Sequence, residues 1–361
     1  NRPVRTRMPG GVGGAELIGS PLSRLVQVDE MLTEDQGQSG LLHALVLDGK
    51  GGARQLAHAD IPSLELAEGE SLWLHWDRSQ PQAVAWLREH SGLSGFACDV
   101  LLEENTRPRL LPLADDELLL FLRGVNLNPD AEPEDMVSLR VFVDARRVIS
   151  LRLRPLRSTE AVIQQLAEGV GPKTTSEILI SLAEALTDRV DDLVAVLGER
   201  LDEEEDRLET DARYTPAQDK LLILRRQAAS LRRFLLPQRE IYGQLTRNRL
   251  PWFVDDDTDY WNELSNRLIR YLEELELVRE RANLVLEAEE RRMRERMNRT
   301  MYLLGIITGF FLPMSFLTGL LGINVGGVPG SESPYGFAAA CVLIGAVAFF
   351  QWWVFRRLKW I

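Results

Sequence analysis

The stretch that decides the fold is MYLLGIITGFFLPMSFLTGLL, Met301–Leu321. It runs for 21 residues without a charge. At 1.5 Å of rise per residue, a helix of that length is roughly 31 Å long, one hydrocarbon thickness. A second uncharged run, Tyr335–Phe355, has the same length. Charge-free runs this long are rare in soluble cores, so the pair reads as two transmembrane helices joined by a short loop, Gly322–Pro334. Pro313 lies mid-span, where it removes one backbone donor; membranes tolerate this when a neighbour satisfies the freed carbonyl. Gly305, Gly309 and Gly319 permit close helix approach.

Arginine sets the orientation. Arg291, Arg292, Arg294, Arg296 and Arg299 precede the first run, Arg356, Arg357 and Lys359 follow the second, and the connecting loop has neither Lys nor Arg. The positive-inside rule then puts both termini in the cytoplasm. Trp352, Trp353 and Trp360 sit near the inner end of the second run, as aromatic anchors do.

Upstream of the first run no helix breaker occurs between about Thr258 and Pro313. An apolar seam visits Leu264, Leu268, Tyr271, Leu275, Val278, Ala282 and Val285 in alternating steps of four and three, a heptad pattern. It continues through Met293, Met297, Met301, Leu304, Thr308, Leu312, Ser315 and Gly319. A helix over 258–321 would be roughly 95 Å long. Two spans cannot enclose a path alone, so any pore has to lie on the axis of an oligomer.

Two further long helices are expected before it, Ser176–Asp211 and Ala217–Arg249, the latter with a bend at Pro237, and a short one over Thr159–Glu168. The block Glu199–Asp211 carries eight carboxylates. It reads as a solvated helix end, paired with Arg225, Arg226, Arg232 and Arg233, or as a cation-concentrating surface. From Leu41 to Leu156 the pattern is α/β or α+β. Strands are expected at Leu41–Leu47, Ala53–Ala57, Ser71–Asp77, Glu117–Leu122, Met136–Val143 and Val148–Leu153, with a hairpin turn at Asp48–Gly52 and a helix at Pro81–His90. The layout is thus a disordered start (1–20), a cytoplasmic α/β domain (21–156), a helical and stalk region (157–300) and a membrane domain (301–361).

Of 361 residues 45% are hydrophobic and the formal charge is −12. From Met301 on, only Glu332, Arg356, Arg357 and Lys359 are ionised, a net of +2, which leaves −14 on the rest. An acidic body excludes nucleic acid as the main partner and suits cations. Cys98 and Cys341 give no CxxC pair, and the four histidines lie in the first hundred residues without ligand spacing. The glycine runs Gly10–Gly14 and Gly49–Gly52 lack GK[ST], so neither ATP-driven pumping nor an enzyme is expected.

After the first span stand Gly322-Ile323-Asn324, then Val325-Gly326-Gly327-Val328-Pro329-Gly330. An asparagine between a charge-free helix and a Gly-rich loop is costly unless used. Repeated around an axis, carboxamide and glycine carbonyl oxygens make an uncharged ring suited to hydrated divalent cations.

With its acidic cytoplasmic body, stalk helix, two C-terminal spans, G-x-N tripeptide and terminal basic cluster, the chain resembles the CorA superfamily of divalent metal ion transporters. Gly322-Ile323-Asn324 with its loop looks like the ZntB zinc transporter branch; most relatives have Gly-Met-Asn. The resemblance implies a homopentamer with a funnel-shaped cytoplasmic domain in the bacterial inner membrane. It implies a selectivity motif at Gly322, Ile323 and Asn324 and pore-lining positions at Asn298, Met301, Leu304, Thr308, Leu312, Ser315 and Gly319. Met301 and Leu304 would form the hydrophobic constriction, and Arg356, Arg357 and Lys359 the basic collar. The family's acidic residue after the loop proline is Gly330 here, leaving Glu332 to attract cations at the outer mouth. No His, Cys, Asp or Glu lies on the proposed pore face, so no fixed metal ligand and no tightly bound cofactor is assigned. The expected cargo is Zn2+, with Mg2+, Co2+, Ni2+ and Cd2+ open. Uptake is the expected direction, and proton coupling stays open because no titratable pore group is evident. Two other readings stand beside it: a general Mg2+/Co2+/Ni2+ channel, and a membrane-tethered sensor or scaffold. The partners implied are other copies of the chain, the lipid bilayer and divalent cations.

Overall fold

The computed structural model describes residues 40–104, 106–114, 116–211, 214, 218–247, 250–254, 256–322 and 333–358. The expectations for residues 1–20, Ile323, Asn324, Glu332 and Lys359 lie outside the described residues. The chain divides into two compact units, one formed by 1–206 with 222–281, the other by 207–221 with 282–361.

The first unit is built on a seven-stranded sheet. Its strands are β1 (Leu41–Leu47), β2 (Ala53–Gln55), β3 (Ser71–Asp77), β4 (Arg109–Pro112), β5 (Leu118–Gly124), β6 (Val137–Val143) and β7 (Arg147–Arg152). Their spatial order is β2-β1-β3-β7-β6-β5-β4. Only β3 and β7 run parallel; the other neighbours are antiparallel. The β1–β2 turn closes because Asp48 Oδ1 accepts from the backbone N–H of Lys50 at 2.7 Å and of Gly52 at 3.0 Å. Gly49 (φ +70) and Gly51 (φ +110) supply left-handed backbone that other residues resist.

Successive side chains of a strand alternate between faces. Leu74 and Trp76 of β3 pack with Phe121, Phe142, Ile149 and Leu151 on one face, under helices α1 (Pro81–Glu89) and α2 (Gly95–Leu102), which bury Ala83, Leu87, Ala97, Cys98 and Leu101. Trp73 and His75 point to the opposite face, where Trp73 Nε1 donates to Ser150 Oγ at 2.8 Å. A Cβ on Gly124 would collide with Leu156 and with Leu186, so the α4 helix lies directly on the end of β5.

The remaining helices are α3 (Arg157–Glu168), α4 (Thr175–Thr210), α5 (Gln218–Leu245), α6 (Asp257–Leu321) and α7 (Gly336–Arg357). α3 ends on Gly169 in the left-handed region, φ +79. α6 is one helix of 65 residues, roughly 97 Å long. Its seam residues Leu264, Leu268, Tyr271, Leu275 and Val278 are all buried. Each fully buried leucine contributes about 1.5–3 kcal/mol, which is what holds so long a helix against its neighbours. Trp261 lies 5.4 Å from Tyr242 of α5, and Arg267 bonds Asp188 of α4 at 2.5 Å. The spacing continues through buried Ala282 and Val285 to Glu289, a buried carboxylate.

The sequence missed three elements: a 3-10 turn at His58–Ser63, α2 and β4. Two carboxylates of the acidic block, Asp202 and Glu205, find their partner on α6 rather than among the expected arginines of α5. Arg281 of α6 bonds Asp202 at 2.6 Å and also Glu205, while Arg232 pairs with Glu276 at 3.3 Å instead. The carboxylates of Glu205 and Asp202 hold the Arg281 guanidinium above its ordinary pKa.

Candidate functional site

The candidate site is the outer part of α6 with α7. Both are long and apolar enough to cross a membrane. In α6 the partly covered positions are Ile306, Gly309, Phe310, Pro313, Met314 and Leu317. At about 100° per residue these share one face. On α7 the corresponding stripe is Gly336, Ala340, Ile344, Val347, Ala348, Gln351, Val354 and Phe355. The two helices touch where Gly309 leaves room: a Cβ there would lie 3.1 Å from Phe355 Cζ, and the Phe310 ring sits tilted with its centroid 6.1 Å from that of Phe355. Gly305 and Gly319 have open space around them, so of the three glycines only Gly309 serves the contact within this chain.

Helical hydrogen bonds run from each N–H to the carbonyl four residues earlier, so Pro313 strips the donor from Gly309 O. The structure supplies another: Gln351 Nε2 donates to Gly309 O at 3.2 Å. α6 stays helical through the proline.

The predicted path residues fall on the opposite face of α6. Met301, Leu304 and Leu312 are 55%, 57% and 66% exposed, which is high for large apolar side chains. Thr308, Ser315 and Gly319 are exposed along the same line, roughly opposite the α7-facing stripe at 100° per residue. Asn298 is exposed too, one position past the seam residue Met297. Within this segment the stripe advances in steps of three and four residues, and every position on it is bare. Gly322 ends the helix, its N–H bonded to Thr318 O at 2.9 Å. A side chain at 322 would meet that same carbonyl at 3.1 Å. Of the selectivity motif, only Gly322 is among the described residues.

The arginine-rich ends have defined geometry. Arg356 lies 5.2 Å over the Trp352 ring and Arg357 5.4 Å over Trp353, cation–π pairs that suit an interface. Arg294 pairs with Glu290 at 3.1 Å one turn back.

No group of three or more His, Cys, Asp or Glu side chains able to hold a metal occurs among the described residues. His75 is a core residue: it is buried, bonded to Ser150 Oγ at 2.7 Å through Nδ1, and stacked on His43 at 6.4 Å. Burial, with Arg152 and His43 adding repulsion, pushes its pKa well below the ordinary value. Arg140 is likewise buried, bonded to the carbonyls of Leu101 and Glu104. Desolvation, with Arg78 and Arg123 nearby, pushes its pKa down to about 9. Both groups are structural and stand apart from the α6 stripe in sequence. Cys98 is buried with its thiol on Leu87 O at 3.3 Å, and Cys341 is exposed on α7.

Known proteins share this architecture. The chain is 63% identical over 328 residues to the "Divalent cation transporter CmaX" of Pseudomonas aeruginosa strain PAO1, covering 91% of this chain and 99% of that one. It is 36% identical to the "Zinc transport protein ZntB" of Pectobacterium carotovorum, covering 90% and 97%. The solved full-length CmaX structure superposes with a TM-score of 0.83 over 91% of this chain and 100% of that one. The CorA magnesium transporter of Methanocaldococcus jannaschii, 19% identical, matches with a TM-score of 0.74 over 89% and 99%, a likeness of fold. Residues 68–357 match the family described as CorA-like Mg2+ transporter protein. With four-fifths of its length inside that match, and with the helix pair, proline and basic ends in place, the chain belongs to the CorA family.

Proposed function

We propose that this chain carries divalent cations, Zn2+ among them, into the cell along the axis of a homopentamer in the bacterial inner membrane. The observation that carries the reading is the bare stripe Met301–Leu304–Thr308–Leu312–Ser315–Gly319, set in steps of three and four residues on the face of α6 turned away from α7. Large apolar side chains left bare along one face of a helix call for other copies of the same helix to cover them. Met301 and Leu304 act as the hydrophobic constriction, Thr308 and Ser315 supply hydroxyls, and Asn298 lies at the inner end. Gly322, Ile323 and Asn324 form the outer oxygen ring, Glu332 attracts cations to it, and Arg356, Arg357 and Lys359 form the basic collar. Residues 21–300 then stand on the cytoplasmic side as a funnel, with both termini inside.

The stripe carries no Asp, Glu, His or Cys. Such a path suits an ion that keeps its water, because dehydration by protein ligands is not on offer. Zinc is ordinarily captured through N and S ligands, and none is present on the stripe, so the residues favour transport of several divalents. The zinc-selective reading is supported by the ZntB relatives, the broader one by the CmaX relative named for divalent cations.

Influx into liposomes containing the purified chain, at matched Zn2+ and Mg2+ gradients, tests this. Influx of both, abolished by a bulky Ser315→Phe, is the expected result. Influx of Zn2+ alone establishes the zinc-selective reading, and absence of any divalent flux refutes transport in favour of a tether or sensor. Repeating the assay with an inward proton gradient decides whether uptake is coupled.

A further inference from the structure

We infer that Gln351 of the second span is a positioning residue for the ion path: its side-chain amide replaces the backbone donor that Pro313 lacks, and so sets the course of the outer half of α6. Two independent features meet at one atom. Pro313 leaves Gly309 O without its intrahelical partner, in a segment where water is not at hand to replace it. Gln351 is the only amide side chain between Gly336 and Phe355, set among Phe349, Phe350, Trp352 and Trp353. A polar side chain in such a span is retained only where it is used. Its Nε2 reaches that same Gly309 carbonyl at 3.2 Å. The backbones are close enough for this because residue 309 has no Cβ to strike Phe355.

The consequence is mechanical. Met301, Leu304, Thr308 and Leu312 precede the proline; Ser315, Gly319 and Gly322 follow it. A proline helix with an unsatisfied carbonyl bends toward whatever donor it finds. Fixing that donor on α7 fixes the angle at which Ser315, Gly319 and Gly322 continue the stripe. Gln351 itself does not face the stripe, so it acts through the Gly309 carbonyl without touching the ion. Its Oε1 is buried and without a hydrogen-bond partner among the described residues. The amide is therefore held by this one bond rather than by a wider network.

The inference rests on the exposed α6 stripe being the ion path, and a thermodynamic cycle tests it. The full-length chain is compared with Gln351→Met, Pro313→Ala and the double variant. Methionine keeps the volume and removes the donor; alanine in place of the proline restores an N–H to Gly309 O. Side-chain hydrogen bonds between membrane helices shift equilibria by about three- to twenty-fold. Gln351→Met is therefore expected to lower liposomal Zn2+ and Mg2+ influx by about that factor with Pro313 in place. In the Pro313→Ala background the same change is expected to alter influx by less than about twofold. An equal loss in both backgrounds, or no loss with Pro313, overturns the inference. The melting temperature of the purified protein is read in parallel: Gln351→Met lowers it with Pro313 and leaves it unchanged in the Pro313→Ala background. An equal drop in both, or none, overturns the clip even where a variant no longer conducts. A wild-type chain that moves no ion while the melting cycle holds refutes the transport reading and leaves the hydrogen bond standing.

Discussion

Acidification from pH 7.5 to 5.5 is expected to cost the sheet-containing unit about 1.4 kcal/mol through His75 alone. His75 is 1% exposed and its pKa lies well below the ordinary histidine value, chiefly through burial and then through Arg152 and His43. Its surroundings explain the penalty. Ser150 Oγ has room for two incoming bonds and one outgoing. Trp73 Nε1 at 2.8 Å and His75 Nδ1 at 2.7 Å occupy the first two, and Leu74 O at 3.4 Å takes the hydroxyl proton. In that tautomer His75 Nε2 is a bare lone pair, buried without a hydrogen-bond partner among the described residues. A second proton would create a buried N–H with nothing to receive it, beside the Arg152 guanidinium. The unfolded chain protonates near pH 6.5 and the folded chain resists, so the unfolded state binds more protons and stability falls as pH falls. The linkage integral between pH 7.5 and 5.5 reaches RT ln 10, or about 1.4 kcal/mol, when the folded site takes up no proton over that range. The assay is equilibrium urea unfolding of the full-length protein in detergent at both pH values, beside His75→Gln. Other groups titrate in the same range, and the comparison between the two proteins removes them. The variant is expected to be less stable at pH 7.5, through lost packing, but to lose about 1.4 kcal/mol less on acidification. An identical pH slope in both proteins would refute the buried neutral histidine.

Three further outcomes follow from the same contacts. Arg281→Met should destabilise the α4–α6 contact by about 1 kcal/mol, since its partners Asp202 and Glu205 are partly exposed, and the loss should shrink at 1 M salt in the same unfolding assay. Gly309→Leu should lower the stability of the α6–α7 pair by about 1–3 kcal/mol through the clash with Phe355; a Phe355→Ala companion should recover part of it, and no recovery would mean the clash lies elsewhere. In a background with Cys98 and Cys341 replaced, cysteines at Thr308 and Ser315 should react with a water-soluble thiol reagent in membranes and be slowed by divalent ions. Cysteines at Ile306 and Leu317, on the α7-facing stripe, should not, and equal labelling of the two sets would remove the path from the exposed face.

Much of this fold was legible because it is written in local periodicities. β1 (LLHALVL) and β3 (SLWLHWD) coincide with short, mostly apolar runs that end on Asp48 and Asp77, and the step pattern from Leu264 to Val285 marks a seam that is buried at every position. What escaped lacks such a signal. α2, GFACDVLL, is apolar on nearly every side, so it has no helical stripe, and its only announcement is Ser94 as N-cap. β4 is four residues ending on Pro112, tolerable only because the strand is at the sheet edge. The parallel β3–β7 pairing joins segments about 75 residues apart and has no local mark. In the candidate site, the residues of the exposed α6 stripe and the need for a donor near Pro313 could be named in advance. That Gln351 supplies it could not, because the register of two helices depends on which small residue lets them touch. The partner of Asp202 and Glu205 escaped for the same reason, since Arg281 lies some 76 residues from Glu205.

The charge distribution bears on how an uncharged stripe can serve cations at all. At an effective dielectric near 20, one carboxylate 4 Å from a divalent ion holds it by about 8 kcal/mol. That slows escape by about a millionfold, and a ring of several would act as a trap rather than a path. Residues Met301 to Gly322 avoid this by carrying only hydroxyls, thioethers and hydrocarbon. On the proposed path the attraction then acts at a distance, through Glu332 on the outer side and the net −14 of residues 1–300 on the inner side. There, pairs such as Arg281 with Asp202 and Glu205 neutralise part of the local acidity, so the field that remains is broad and weak. Broad attraction with a neutral constriction raises ion concentration near the mouth without deep binding within it. This is the combination conduction requires, and on the proposed path throughput would depend on the geometry of Ser315, Gly319 and Gly322 more than on any single ligand.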